Sequence, residues 1–442
     1  MAVDSDMVKL NLAYVISCIR NSELQEALKS SLEIIEASRS QQDDSSTDIF
    51  LSGIADIYEG LGDFENAVRY HELYFQKSKE RLEKEPLTED KIIAVSCSFM
   101  GLGSIYMKLA RIVDAYNLYY GIYQISSSLL NLNSSTLIVL RMKAFACGYL
   151  SDFYLKQELY QSAYPFCLEY HDCLLKIIVE MPTDIDIRNK ISWSNIFLGD
   201  YYDKVGQPMT ALKYYSEAEL DAGEMVKQYT GYTDFEATYA LVNERIGDIY
   251  FSMEKDENAL AHYTKNHDIL EMLTKNNPEN LTFELNMIAS IQHIAIVFYK
   301  QKKYFESLAF LDKCYDKAVR LIQQVPSYAD INGIIAIIYQ YRAFIFSDLN
   351  KIEDSTTNYV AMYRHLKNIL NSYPGNAFFR DKLAYTCFIF GTFLCNQMHG
   401  NNGIKYLEEG YRLYMELVKE FPAEAEYQVK ADLIEEKLIE YL

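Results

Sequence analysis

Few residues in this sequence interrupt a helix. Its 442 residues include only 18 glycines and 8 prolines, about half the share of these residues in an average globular protein. Half of the residues are hydrophobic, which excludes a disordered chain because enough apolar surface is present to form a core. A chain with a core and few helix breakers is predicted to be mostly α-helical.

Positive charge is scarce as well. Lys and Arg number 42 against 62 Asp and Glu, and the net charge of −20 disfavours nucleic acid as a partner. The N-terminal MAVDSDMVKL lacks the basic region and apolar stretch of a secretory signal. The most apolar segment, residues 334–346, is interrupted by Gln340 and Arg342 and is shorter than the roughly 20 residues of a membrane span. We therefore expect a cytoplasmic protein that binds neither nucleic acid nor membranes.

An internal repeat of 48 residues runs through most of the chain. Small residues recur at this interval at Ala55, Gly103, Ser151, Gly199, Gly247, Ala295, Ala343 and Gly391. Three residues later stands a nearly pure aromatic column, formed by Tyr58, Tyr106, Tyr154, Tyr202, Tyr250, Phe298, Phe346 and Leu394. A second small column comprises Ala67, Ala115, Ala163, Ala211, Ala259, Ser307, Ser355 and Gly403. Six of the prolines also share one column, at Pro86, Pro182, Pro278, Pro326, Pro374 and Pro422.

The columns predict one helical hairpin in each repeat. Apolar and small residues three, four and seven apart indicate amphipathic helices, and the Gly62-Asp63 pair between the two small columns indicates a tight turn. A glycine inside a helix costs about 1 kcal/mol relative to alanine, so we expect the glycines of the first column to allow close approach of a neighbouring helix. The aromatic column is expected to fill the space between hairpins, and each proline to stop a second helix.

This pattern resembles the tetratricopeptide repeat (TPR), in a stretched variety of about 48 residues instead of 34. The resemblance covers about residues 48–431. It implies an all-α, right-handed α-solenoid superhelix of TPR-like hairpins with a C-terminal capping helix. Arrays of this long variety are similar to those associated with bacterial signal-transducing NTPases and caspase-like proteases, where they act as sensor or docking modules.

The repeat divides the chain into four predicted regions. Residues 1–40 are expected to form a divergent N-terminal hairpin and residues 41–47 a polar linker. Residues 48–425 would hold eight repeats, and residues 426–442 a capping helix that solvates the exposed end of the solenoid.

The resemblance also implies that the first helix of each hairpin lines a concave groove. One groove column follows the first small column by one residue: Asp56, Ser104, Asp152, Asp200, Asp248, Ile296, Phe344 and Thr392. A second groove column precedes the first small column by three residues: Ser52, Met100, Gly148, Ile196, Glu244, Gln292, Gln340 and Phe388. The groove is thus acidic in the N-terminal half and apolar to aromatic in the C-terminal half. The candidate partner-binding residues are Asp152, Trp193, Asp200, Glu244, Asp248, Tyr299, Phe344 and Phe388.

Several of these positions have a simpler structural interpretation. Lys156 and Lys204 follow Asp152 and Asp200 by four residues, so each pair could neutralise itself on a solvated helix face. The single tryptophan, Trp193, is either an interface hot spot or packs against the preceding hairpin. Arg342 replaces an apolar residue of its column and marks either a slightly rotated helix or a specific contact with a partner or another copy of the chain.

Signatures of catalysis and metal binding are missing. The 8 cysteines form no CxxC pair, which favours reduced thiols in the core. Cys167, His171 and Cys173 are crowded like metal ligands, but a fourth ligand is missing and Cys167 occupies a tyrosine column, so we interpret them as buried structural residues. No GxxxxGK, GxSxG or HExxH motif occurs, and we expect no metal, no cofactor and no enzymatic activity.

The sequence therefore predicts a non-enzymatic scaffold for protein–protein interaction. Its concave groove would bind a basic or amphipathic segment of another protein. The alternative is a sensor or regulatory subunit of a bacterial signalling or defence system, controlling a separate protease or NTPase. The partner's identity and the oligomeric state stay open.

Overall fold

The computed structural model describes residues 24–39, 48–84, 88–109, 111–131, 137–157, 159–325, 329–372, 375–397, 400–422 and 425–441. These residues form eighteen helices and contain no β-strand, which confirms the predicted all-α fold. The helices are α1 (Leu24–Arg39), α2 (Asp48–Gly60), α3 (Phe64–Lys84), α4 (Glu89–Lys108), α5 (Ile112–Asn131), α6 (Leu137–Lys156), α7 (Tyr160–Glu180), α8 (Ile185–Lys204), α9 (Pro208–Gln228), α10 (Thr233–Ser252), α11 (Asp256–Asn276), α12 (Leu281–Lys300), α13 (Tyr304–Gln324), α14 (Ala329–Asp348), α15 (Ile352–Ser372), α16 (Ala377–Asn396), α17 (Gly400–Glu420) and α18 (Ala425–Tyr441).

The chain divides into two compact units, unit 1 (residues 1–290) and unit 2 (residues 291–442), with the boundary inside α12. Of the predicted N-terminal hairpin, only α1 belongs to the described residues, and the predicted linker at 41–47 lies outside them. At the other end, α18 buries Ala431 and Ile434 in the core of unit 2.

One helix among the described residues, α12, is long and apolar enough to cross a membrane. This is not the segment at 334–346 that the sequence analysis marked as most apolar. The apolar window of α12 is 61% buried inside the protein, as expected for a core helix of a helical-repeat fold.

Three glycines of the first small column, Gly103, Gly199 and Gly247, make room for a tyrosine of their own hairpin, whereas Gly391 lies against the backbone carbonyl of Gly403 and the side chain of Leu407. A Cβ atom added to Gly199 would lie 2.4 Å from Cε1 of Tyr215, and the same close contact joins Gly247 to Tyr263 at 2.6 Å. The neighbouring helix that approaches closely at these positions is the second helix of the same hairpin.

The aromatic column acts both within and between hairpins. The ring of Tyr202 stacks on Tyr214 of the next helix, with centroids 5.5 Å apart. Its hydroxyl lies 3.3 Å from the hydroxyl of Tyr164 in the preceding hairpin. Tyr154 repeats this arrangement, because it stacks on Phe166 and also reaches back to the preceding hairpin.

Five of the turns between the two helices of a hairpin, those whose central residue the structure describes, share one left-handed residue. Gly62 and Gly206 occupy this position with φ of 77° and 76°, and the same column continues with Glu254, Lys302 and Asn350 at φ of 57–59°. The residue after it donates its N–H back to the first helix, as Gln207 does to the carbonyl of Tyr202 at 2.8 Å. Such a left-handed residue ends a helix and starts the return of the chain.

Candidate functional site

A cavity in unit 1 lies on the first helices of four successive hairpins. It has a volume of about 850 Å³ and is formed by α4, α6, α8 and the start of α10. Its apolar lining includes Met100, Met142, Phe145 and Phe235. Charged and polar side chains, among them Arg141, Asp186, Lys190 and Asp234, also line it, and a cavity of this size that combines apolar and polar groups suits a small molecule or a peptide side chain.

Two basic side chains enter this cavity, and they differ in how they are held. Arg141 forms an ion pair of 2.6 Å with Asp184. Asp184 also caps α8 by accepting hydrogen bonds from the backbone N–H groups of Asp186 and Ile187, so the arginine is fixed to a helix start. Lys190 instead lies over the ring of Phe145, with its Nζ 4.9 Å from the centroid.

The environment of Lys190 disfavours its charge. Burial lowers the pKa of Lys190 and the nearby charge of Arg141 lowers it further, while Asp186 and Asp234 oppose the shift. No carboxylate of the described residues lies within 4 Å of its ammonium group. The lysine therefore offers an incompletely paired positive charge inside an apolar cavity.

A second polar group in the cavity also lacks a partner. The carboxamide oxygen of Asn189 is buried and accepts no hydrogen bond from the described residues. Buried polar atoms are nearly always satisfied by the protein, by water or by a ligand. Asn189 and Lys190 are adjacent on α8 and both line the cavity, with the Asn189 oxygen itself buried at its wall.

Three of the predicted acidic residues lie together outside the cavity. Asp200, Glu244 and Asp248 surround the guanidinium of Arg245, at distances of 3.1, 2.9 and 3.6 Å. Asp200 and Asp248 each also accept a hydrogen bond from a tyrosine hydroxyl, that of Tyr215 at 2.6 Å and that of Tyr263 at 2.7 Å.

The side chains of this acidic cluster are partly buried, and burial shifts their pKa values. Burial acts to lower the pKa of Arg245, but the three carboxylates outweigh it and raise that pKa. For Asp200, burial raises the pKa more than Arg245 and Tyr215 lower it. Three carboxylates share one arginine here, so the cluster keeps an excess of negative charge.

Of the two predicted Asp–Lys ion pairs within one helix, only the Asp152–Lys156 pair forms. Lys156 binds Asp152 at 2.8 Å on the same helix. Lys204 instead approaches Asp203, at 3.7 Å, since Asp200 is already bound by Arg245. Asp152 lies apart from the Arg245 cluster.

Trp193 connects two hairpins. Its indole N–H donates a hydrogen bond of 3.1 Å to the hydroxyl of Thr238 on α10, in the hairpin that follows. Its ring lies 5.9 Å from that of Phe197 and packs on the core cluster around α6, α7 and α8. The tryptophan is therefore part of the packing between repeats.

The aromatic candidates of unit 2 fall into two places. Tyr299 and Phe344 have centroids 6.2 Å apart and both contact the ring of Tyr341. Phe388 is partly buried and packs on the core cluster that contains Leu383.

None of the eight predicted binding residues lines the cavity of unit 1. The binding residues predicted from the sequence did not include Arg141, Phe145, Asn189 and Lys190, which line the cavity. A signal was present, because Arg141 and Asn189 share one column of the 48-residue repeat and Phe145 and Trp193 share another. Those columns lie in the first half of the first helices, whereas the predicted groove columns lie nearer the hairpin turns.

The remaining marked residues have structural contacts. Arg342 binds Asp312 at 2.5 Å and covers the ring of Tyr315, so its position reflects a specific contact within unit 2. Cys167 and Cys173 are buried thiols, as expected, and the seven described cysteines are all free. His171 lies 2.9 Å from the hydroxyl of Ser194.

Comparisons with known proteins identify the fold. No protein-family model matches the chain, and neither does any curated protein. The chain is similar to the apo form of the quorum sensor NprR from B. thuringiensis, with 14% identity, a TM-score of 0.55 and coverage of 92% of this chain and 99% of that one. It is also similar to the apo form of RapI, with 14% identity, a TM-score of 0.53 and coverage of 95% and 99%.

A third similar structure is a Rap protein complexed with Competence and Sporulation Factor, with 13% identity, a TM-score of 0.50 and coverage of 99% of this chain and 100% of that one. Identities this low establish a fold and not a ligand. The likeness confirms the predicted architecture, an all-α solenoid of TPR-like helical hairpins.

Proposed function

We propose that this TPR-like repeat protein is a non-enzymatic, cytoplasmic scaffold that captures a peptide segment of a partner protein in the cavity on α4, α6, α8 and α10. The observation that carries the proposal is the pair formed by Lys190 and Asn189. Both residues line a cavity of about 850 Å³ with a mixed apolar and polar lining, and incompletely matched polar groups in such a cavity fix the orientation of a bound segment.

The residues that line the cavity determine which chemical groups a bound segment must carry. Apolar side chains would fill the space between Met142, Phe145 and Phe235. A carboxylate or a main-chain carbonyl would accept from Lys190, and a main-chain N–H would donate to Asn189. A basic residue elsewhere in the segment would be attracted to the excess negative charge of the Arg245 cluster. The partner is thus an amphipathic segment with both an acceptor and a basic end.

A regulatory role is the more specific form of this proposal. Two of the structurally similar proteins are named for signal recognition, one as a quorum sensor and one in complex with Competence and Sporulation Factor. A peptide that binds between four successive hairpins would couple their relative positions, which is how a solenoid can transmit binding to a distant surface. We propose that the cavity recognises a peptide signal and that the rest of the chain contacts the regulated protein.

Selection from a library of random peptides of eight to twelve residues tests the proposal. The full chain is used as bait, and the affinity of the selected peptides is then measured by fluorescence anisotropy. Lys190→Met should weaken binding by about ten-fold or more, because it removes the donor but keeps the apolar stem. Quenching or enhancement of Trp193 fluorescence gives a second readout, since its partner Thr238 lies close to the cavity residues of α10.

Lys213→Met is the matched control. Lys213 lies on the second helix α9, is well exposed and makes only a weak pair with Glu217 at 3.9 Å. Both substitutions remove one positive charge, so a general charge effect would appear in both. Selected peptides that bind the Lys190→Met and Lys213→Met proteins equally well would overturn the assignment of the cavity.

A further inference from the structure

A histidine in the first complete hairpin of unit 1 is buried without a hydrogen bond. The side chain of His71 on α3 is 0% exposed. Neither of its ring nitrogens has a hydrogen-bond partner among the described residues. An imidazole that is removed from water and left unpaired is costly, so its surroundings call for an explanation.

Two carboxylates face the Nε2 atom of this histidine. Oδ1 of Asp56 lies 3.6 Å from it and Oε2 of Glu59 lies 3.9 Å from it. Both residues are on α2, three positions apart and therefore on one helix face. All three donor atoms lie within 4.8 Å of one another. Within the described part of the chain, no other group of His, Cys, Asp and Glu gathers in this way.

The distances suit a shared ion better than direct contacts. Both separations exceed the 2.7–3.2 Å of a hydrogen bond to nitrogen. Two donors at 2.0–2.1 Å from a tetrahedral ion lie roughly 3.3–3.4 Å apart, which is close to the 3.6 Å between the His71 nitrogen and Asp56 and about half an ångström below the 3.9 Å to Glu59. Asp56 is 60% exposed, so its side chain is free to adjust.

Neighbouring residues hold the arrangement in place. Lys108 binds the other oxygen of Glu59 at 2.6 Å, which keeps this carboxylate ionised and oriented while leaving Oε2 available. The opposite edge of the His71 ring packs on Gly101 of α4, where an added Cβ would lie 2.6 Å from the ring. Supporting contacts of this kind orient the donors of a metal site.

We propose that Asp56, Glu59 and His71 form a binding site for a divalent transition-metal ion, with Zn²⁺ as the best match. One imidazole nitrogen and two carboxylate oxygens are donors that Zn²⁺ accepts, and three protein donors leave at least one position open to solvent or to a bound molecule. The exposed side of Asp56 gives an ion a path to the site. None of the three residues lines the Lys190 cavity, and the metal site stands whether or not a peptide binds in that cavity.

Isothermal titration of the full chain with ZnCl₂ tests the site. The titration is done in a Cys97→Ser background, because Cys97 is the exposed thiol among the described cysteines and thiolates also bind zinc. We expect one saturable ion per chain. Asp56→Asn and Glu59→Gln keep the side-chain shape and should each weaken binding roughly 10- to 100-fold.

Glu65→Gln is the matched control, because Glu65 is exposed on α3 and lies outside the cluster. It removes the same charge from the same hairpin and should leave the affinity within about two-fold. Circular dichroism of each variant establishes that it is folded. Absence of a one-to-one binding event, or binding that either carboxylate substitution leaves unchanged, would overturn the site.

Discussion

At the scale of single residues, one position in each hairpin decides how closely the two helices pack. The sequence marked this column correctly as small, since Gly103, Gly199 and Gly247 stand where a larger residue would be expected in a helix. It did not indicate what fills the vacated space. Only the structure identifies the tyrosine ring of the second helix as the group that needs it.

Gly199→Ala and Gly53→Ala are expected to change stability in opposite directions. At Gly199 the new methyl group meets the ring of Tyr215, whereas at Gly53 nothing lies within 4 Å. Overpacking costs about 1–3 kcal/mol and exceeds the gain of about 1 kcal/mol from replacing a helical glycine. Urea unfolding should therefore show a lower midpoint for Gly199→Ala and a higher one for Gly53→Ala. If both variants were stabilised, the steric role of the column would be wrong.

At the scale of helices and turns, the hairpin period was predictable but its local exceptions were not. The turn column was recognised from Gly62-Asp63, yet three of its later members carry a full side chain at positive φ: Glu254, Lys302 and Asn350. Neither Glu254 nor Lys302 is a residue type that favours a left-handed conformation, so only their place in the column of Gly62 and Gly206 indicates it. That conformation is imposed by the tertiary requirement that each second helix return along the first.

Replacing such a residue by glycine should relieve strain. A left-handed backbone costs a residue with a Cβ about 1–2 kcal/mol, partly offset by the larger entropy of unfolded glycine. We expect Glu254→Gly to raise the free energy of unfolding by about 0.5–1 kcal/mol. Lys255→Gly, at a neighbouring residue with φ of −98°, should bring no such gain. Equal effects at the two positions in denaturant unfolding would contradict this account.

Histidines between helices should make stability depend on pH. Burial lowers the pKa of His171 and of His262 below the ordinary value of 6.5, although nearby carboxylates oppose the shift. Between the lowered pKa and 6.5 the unfolded chain binds a proton that the folded chain does not. The free energy of unfolding therefore decreases as the pH falls through 6.5.

His171→Gln isolates this effect, since an amide can keep the contact with Ser194 but does not titrate. The loss of stability between pH 7.5 and pH 5.5 should be smaller in the variant than in the parent protein. Titration of carboxylates is common to both proteins and cancels in the comparison. The same pH dependence in both would show that His171 is not responsible.

At the scale of the whole molecule, charge is the dominant global property. With a net charge of −20, the compact state repels itself. Raising NaCl from about 20 mM to about 300 mM shortens the screening length severalfold, so the thermal unfolding midpoint at pH 7 should rise. Near the sequence pI of 4.9 the repulsion vanishes and the salt effect should shrink. A midpoint that salt lowers at pH 7 would mean that ion pairs such as those of Arg245 outweigh the repulsion.

The sequence by itself determined the helical hairpins and their fold. Each 48-residue repeat carries the same spacing of small and aromatic residues, and this spacing is enough to indicate two packed helices. It also located the acidic residues that surround Arg245. The tertiary structure alone decided which distant side chains meet: Lys190 with Phe145 in the cavity, Trp193 with Thr238, and His71 with Asp56 and Glu59. These contacts depend on the rotation of each helix about its axis and on the stacking of successive hairpins. The 48-residue repeat pattern specifies neither the rotation nor the stacking.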